Sequence, residues 1–220
     1  YYDGEYSLRK MTTPAYILDP RFELQMVAVK LNNGPHEIID GPDFPRYLSK
    51  LNASTTTTVA FNALFDNSIM AWRYGFVPHM MLDAMGMARA LLGHELSSFS
   101  LKSVADHLEL GSKGDALQNM MGKRAWEIKA EGLWPAFCDY AIQDNVLCEG
   151  IFWRLQPQLP KSELRLMDLV LRCCVEPSFV CDTEMLRDHL VSVRAAKAEL
   201  LSNCSLDQIK LMSSAKFKTA

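Results

Sequence analysis

Asn32-Asn33-Gly34-Pro35 narrows the possible folds of this chain more than any other segment. These four turn-forming residues stand between the apolar run Phe22 to Leu31 and the shorter run His36-Glu37-Ile38-Ile39-Asp40. Asn and Gly tolerate the left-handed backbone of a tight turn, and Pro presets one torsion angle. The flanking runs have strand composition, so the spacing predicts an antiparallel hairpin. A β-sheet is thereby written into the fold within the first forty residues.

A threonine run, Thr55 to Thr58, continues into Val59 and Ala60 and predicts another short strand. Leu64, Ile69, Met70 and Trp72 then suit a helix that ends at Gly75. Two more helices are expected over Asp83 to Leu92 and Ser100 to Leu110. In the second, Ser100 is the N-cap, Leu101, Val104, Ala105 and Leu108 share a face, and Gly111 closes the end. A long helix follows from about Pro135, which a first turn tolerates, through Phe152. Gln156-Pro157-Gln158-Leu159-Pro160 interrupts it and marks the expected boundary between domains 1–155 and 156–220. Beyond lie only helical patterns: Leu164 to Cys174, Glu184 to Asn203 behind Asp182 and Thr183, and a short Leu206 to Met212 segment. The expected class is an α/β layered domain with an all-α extension.

The 220 residues allow one sizeable domain and part of another, since domains usually run to about 100 to 200 residues. A hydrophobic fraction of 49% with 22% charged residues is ordinary for a globular protein. No run of about twenty apolar residues offers a membrane span, and Tyr1 to Lys10 lacks the apolar stretch of a secretory signal. The six cysteines show no Cys-x-x-Cys spacing and read as reduced thiols, which favours the cytoplasm. A net charge of −3 argues against holding duplex DNA by overall electrostatics, so nucleic-acid contacts should be local, through metal ions or a groove.

Two acidic motifs carry the chemistry: Phe61-Asn62-Ala63-Leu64-Phe65-Asp66, after an apolar run, and Tyr140-Ala141-Ile142-Gln143-Asp144, inside the long helix. A two-metal nuclease needs carboxylates from different elements converging on ions about 3.5 to 4 Å apart, so its ligands are distant in sequence. Asp66, where a strand feeds a helix, suits a ligand, with Asn62 and Phe65 lining the same mouth. Tyr140 and Asp144 stand at i and i+4, on one helical face. The carboxylate could bind metal while the phenol orients the attacking water. Alone, an Asp at a helix start is usually a cap, and Tyr-x-x-x-Asp arises often by chance. Their order and separation behind a hairpin make the pair far more specific.

In that order the segments resemble the proofreading 3′→5′ exonuclease domain of family A DNA polymerases, the tyrosine-type DEDD exonucleases, and above all those of bacteriophages. The family's second motif, His/Asn-Asn-x-x-Phe-Asp, is matched by Phe61 to Asp66, and its third, Tyr-x-x-x-Asp, by Tyr140 to Asp144. Flanking text is similar as well: Tyr6 to Thr13, Asp19 to Glu23, and Asp83 to Leu91. Ser162 to Leu169 looks like the start of the polymerase domain. The palm motifs are not in this sequence, so nucleotide addition is not assigned to it. Phe61 stands where relatives often carry His, a position not expected to bind metal in the tyrosine-type enzymes. The first motif, Asp-x-Glu on an opening strand, would immediately precede Tyr1-Tyr2-Asp3. Asp3-Gly4-Glu5 follows no apolar strand, and Asp182-Thr183-Glu184 comes too late and suits a helix cap.

The resemblance implies a ribonuclease H-like mixed sheet flanked by helices over 1–155, its opening central strand missing, followed by the first helices of a polymerase domain. That loss should leave a gap or an unpaired edge in the sheet. It further implies two Mg²⁺ or Mn²⁺ ions, with Asp66 and Asp144 as metal ligands, Tyr140 positioning the water, and Asn62 and Phe65 touching substrate. The partners would be a single-stranded DNA 3′ end, primer-template DNA and the polymerase domain of the same chain, in a host cytoplasm and without a membrane. With two of four expected carboxylates, this piece alone should be inactive. The alternatives are a degenerate domain kept as a scaffold or nucleic-acid-binding module, and a stand-alone exonuclease similar to ribonuclease D. The histidines show no ligand spacing, the methionines suit apolar helix faces, and burial is expected for most of the four tryptophans.

Overall fold

The computed structural model describes residues 2–111 and 120–203; Cys204 and the helix expected at Leu206 to Met212 lie outside them. The chain divides into two compact units, Tyr1–Pro177 and Ser178–Ala220. The first is mixed α/β. A short helix α1 (Thr13–Leu18) leads to the expected hairpin, β1 (Met26–Lys30) against β2 (His36–Asp40), antiparallel with Ala28 opposite Ile38. Helix α2 (Phe44–Leu48) closes the hairpin's end and buries Phe44 and Leu48 with Phe76.

The threonine run becomes β3 (Thr57–Ala60), followed by α3 (Ala63–Tyr74), whose C-cap Gly75 takes the left-handed φ of 65° that ends a helix cheaply only for Gly. A strand that the pattern did not predict, β4 (Met80–Asp83), pairs in parallel with β3. Helices α4 (Ala84–Leu92), α5 (Leu101–His107) and α6 (Ala125–Ala130) lead to the long α7 (Trp134–Leu155). Ser100 caps α5 as expected, through its bond from Ser103 N–H, but the helix stops at His107 and Glu109 turns left-handed at φ 57°.

Instead of one mixed sheet, the described strands form two separate two-stranded ribbons, β1–β2 and β3–β4. Both rest on α7, which packs against β1, β2 and β3 and also against α4, α5 and α6. Leu147, Ile151 and Leu155 of α7 are fully buried with Met87 of α4 and Val104 of α5, the largest of the cores.

The break at Gln156-Pro157-Gln158 is a single 3₁₀ turn, and α8 (Lys161–Val175) folds back onto the first unit. Its Leu171 and Val175 join Met81 of β4 and Ala63 of α3 in one cluster, and Trp72 Nε1–H donates to Val175 O at 2.9 Å. The compact unit thus ends at Pro177, beyond the boundary expected at residue 155, because α8 is amphipathic and its apolar face has a place on β4 and α3. The second unit contains α9 (Thr183–Ser202), capped by Asp182, whose side chain accepts from Met185 N–H at 2.9 Å. Asp182-Thr183-Glu184 is therefore a helix cap, and Asp3 likewise serves a turn, accepting from Glu5 and Tyr6 N–H. The described cysteines are free thiols. Trp126 and Trp153 are exposed, against expectation. No described helix is long and apolar enough to cross a membrane.

Candidate active site

The turn from β3 into α3 sets the first motif. Asn62 is the N-cap of α3 in left-handed conformation, φ 69° and ψ 52°, a region in which Asn is enriched among residues with a side chain. Its side chain makes no capping bond. The turn is held from β4, where Asp83 Oδ1 accepts from Asn62 N–H at 2.9 Å and Ala63 N–H at 3.2 Å. Asn67, fully buried, stitches the helix to β3: its Nδ2 donates to Ala63 O, and Thr58 Oγ1–H donates to its Oδ1. Beside it Ser68 Oγ is buried with no hydrogen-bond partner among the described residues.

Asp66 lies in the first turn of α3. Water reaches its side chain, yet protein surrounds it closely. Desolvation pushes its carboxyl up to about 7, and the charge of Asp83 adds to the rise. Phe65 turns the other way and packs with Tyr16, ring centroids 6.0 Å apart, in an aromatic cluster with Tyr6 and Phe22. Asn62 is exposed at the helix mouth.

The second motif sits on α7. Tyr140 is buried, and both its hydroxyl and Asp144 Oδ1 are shielded from solvent. The next residues pin this part of α7 to the hairpin. Asn145 Oδ1 accepts from His36 Nδ1–H at 2.6 Å, and Asn145 Nδ2 donates to Ala28 O at 3.2 Å. Lys30 Nζ donates to both oxygens of Glu149, at 2.7 and 2.8 Å, and these bonds hold the Glu149 carboxyl below its usual range.

The two motifs meet electrostatically at Cys148. This thiol is buried one turn beyond Asp144, and its pKa is pushed up to about 12, first by burial and then by Asp66, Asp83, Asp144 and Glu149 in turn. The charges of carboxylates on α3, the end of β4 and α7 are therefore all felt by one buried thiol. Such a thiol stays protonated and unreactive, so Cys148 marks the convergence without being a nucleophile. Asp83 is the member that sequence reasoning missed, because an Asp ahead of a helix is indistinguishable from an ordinary cap until β3 and β4 pair.

Among the described residues no group of three or more His, Cys, Asp or Glu side chains is arranged to hold a metal ion. The described donors thus do not form a two-metal centre by themselves; Asp66 and Asp144 offer one carboxylate each. Comparison with protein-family models, with curated proteins and with solved structures finds no match.

Proposed function

We propose that this chain is part of a family A DNA polymerase of the phage type and contains the larger part of its 3′→5′ proofreading exonuclease. The substrate would be a frayed single-stranded DNA 3′ end, and the reaction hydrolysis of its terminal phosphodiester to release a nucleoside monophosphate. The observation that carries the reading is that Asp66 and Asp144, from motifs far apart in sequence, lie close enough to the one buried thiol of Cys148 for both charges to raise it. The two ribbons on one helix add support, since a ribonuclease H-like sheet lacking its central strand would part in this way. In this reading the chain holds Asp66 and Asp144 in place and shields Tyr140. The remaining carboxylates, and with them the Mg²⁺ or Mn²⁺ sites, depend on an Asp-x-Glu strand before Tyr1.

A second reading, a degenerate exonuclease domain kept as a scaffold for the polymerase, needs no gathered metal ligands among the described residues. One experiment separates the two. Nucleotide release from a 3′-labelled single-stranded oligonucleotide with Mg²⁺ is measured for this chain and for the chain extended upstream through the expected Asp-x-Glu. The exonuclease reading expects none from the former and release from the latter that Asp144→Ala abolishes. An inactive extended chain supports the scaffold, and strong release by this chain alone overturns the proposed division of the site.

A further inference from the structure

Asp83 ends β4 and starts α4, and one oxygen of its carboxylate serves two helices. Oδ1 accepts from Met85 N–H at 3.1 Å, the ordinary N-cap bond of α4. The same atom accepts from Asn62 and Ala63 N–H at the head of α3, at 2.9 and 3.2 Å. Helix starts leave backbone donors without intrahelical acceptors, and the cap residue of α3 supplies none from its own side chain. Asp83 supplies the acceptor from the neighbouring strand, by charge-assisted bonds. Its main chain is held in turn by α8: Asp83 N–H donates to Met167 Sδ at 3.0 Å, and Met81 N–H donates to Asp168 Oδ1 at 2.9 Å.

We propose that Asp83 is the positioning residue of the candidate active site, fixing the first turn of α3, and so Asp66, against the end of β4. The inference rests on the reading of Asp66 as a functional carboxylate. Asp66 follows Ala63 by less than one helical turn of 3.6 residues, so a rotation at the tethered head of α3 carries the Asp66 side chain with it.

Two substitutions separate this bridge from simple capping. Asp83→Ser keeps a good N-cap for α4, but its shorter side chain cannot span to α3. Asp83→Asn keeps the Oδ1 acceptor at full reach. Amide hydrogen exchange on this chain should show Asn62 and Ala63 exchanging about tenfold faster in Asp83→Ser, the factor for one lost hydrogen bond. Met85 and the distant Ile17 and Ile128 should stay protected, and Asp83→Asn should restore the slow exchange. Unchanged exchange at Asn62 and Ala63, uniform acceleration throughout the unit, or no recovery with Asn would each overturn the proposal. In the upstream-extended chain, nucleotide release should fall in kcat with Asp83→Ser and recover with Asp83→Asn. If that chain is inactive with Asp83 intact, the reading of Asp66 fails, and the exchange pattern alone decides whether Asp83 holds α3.

Discussion

The outer edges of β4 and β1 meet the same problem in different ways. Each strand pairs on one side only, so alternate backbone groups point away from its partner and need other acceptors and donors. On β4 the answer is α8, where Asp168 and Met167 accept from Met81 and Asp83 N–H and Arg172 donates to Pro78 and His79 O. On β1 the pairing of Gly41 N–H with Gln25 O sets the phase that turns Ala28 outward, and its carbonyl receives a side-chain amide, Asn145 Nδ2. The first edge is closed by a packed helix that also buries Leu171 and Val175. The second is held by a side chain that can rotate away, which leaves it able to accept a strand.

Removing α8 should have the largest effect. A chain ending at Leu155 loses the β4 edge bonds and the burial of Leu164, Leu171 and Val175. Three such side chains at about 1.5 to 3 kcal/mol each approach the whole stability of a typical domain, about 5 to 15 kcal/mol. That truncation should abolish cooperative thermal unfolding or drive association through β4, as read by circular dichroism and size exclusion. A chain ending at Pro177 should keep its transition. Equal melting of the two as monomers would break the contrast between the edges.

Next in size is Asp168→Ala, which leaves Met81 N–H inside the interface without its acceptor and takes one of several acceptors from Arg172, at about 1 to 3 kcal/mol in urea unfolding. Asp168→Asn keeps an acceptor and should cost less. A cost for Asn equal to that for Ala would mean that charge, not edge closure, is what Asp168 contributes.

The same physics explains what could be read before folding. The hairpin is legible because Asn32 to Pro35 is local turn chemistry, and α7 because its apolar period runs over 22 residues. Strand β4 is not: Met80-Met81-Leu82-Asp83 contains no β-branched residue and becomes a strand only between Thr57–Ala60 and α8. Helices α1, α2 and α6 have five or six residues each, too few for periodicity to show. In the site, Asp66 and Asp144 stand out as motif residues. The two bonds from Asp83 to α3 exist only once two strands are adjacent, and the inward turn of Phe65 depends on Tyr16, far from it in sequence.

On the open side, Asn145→Ala removes the bonds to Ala28 O and His36 and should cost about 0.5 to 1.5 kcal/mol in urea unfolding, less than Asp168→Ala. In a chain extended upstream through the expected strand, β1 gains a neighbour and the cost should shrink further. A larger penalty in the extended chain would mean that Asn145 is a permanent part of the edge, and the contrast with α8 would fall.

The smallest expected effect is a slope with pH, and it belongs to the carboxylate at the head of α3. The Asp66 carboxyl ionises at a higher pH in the folded chain than the 3.8 of an isolated side chain, with desolvation the main cause and Asp83 adding to it, and its contact with water keeps the effect small. Between these values the folded state keeps a proton that the unfolded state releases. Stability therefore declines as pH rises above about 4, and the decline is complete once the folded carboxyl too has ionised. Asp66→Asn should flatten this slope in thermal melts between pH 4.5 and 8, and Asp83→Asn should move its midpoint down, since it removes the second cause. Asp19 bends the curve the opposite way at the acid end: its bond from Arg21 holds the carboxyl down at about 2, so what it contributes is lost as pH falls from 3.8 through about 2. The two regions are thus separable in one titration. A wild-type curve flat from pH 4.5 to 8 would show that water at the mouth of α3 cancels the crowding around Asp66.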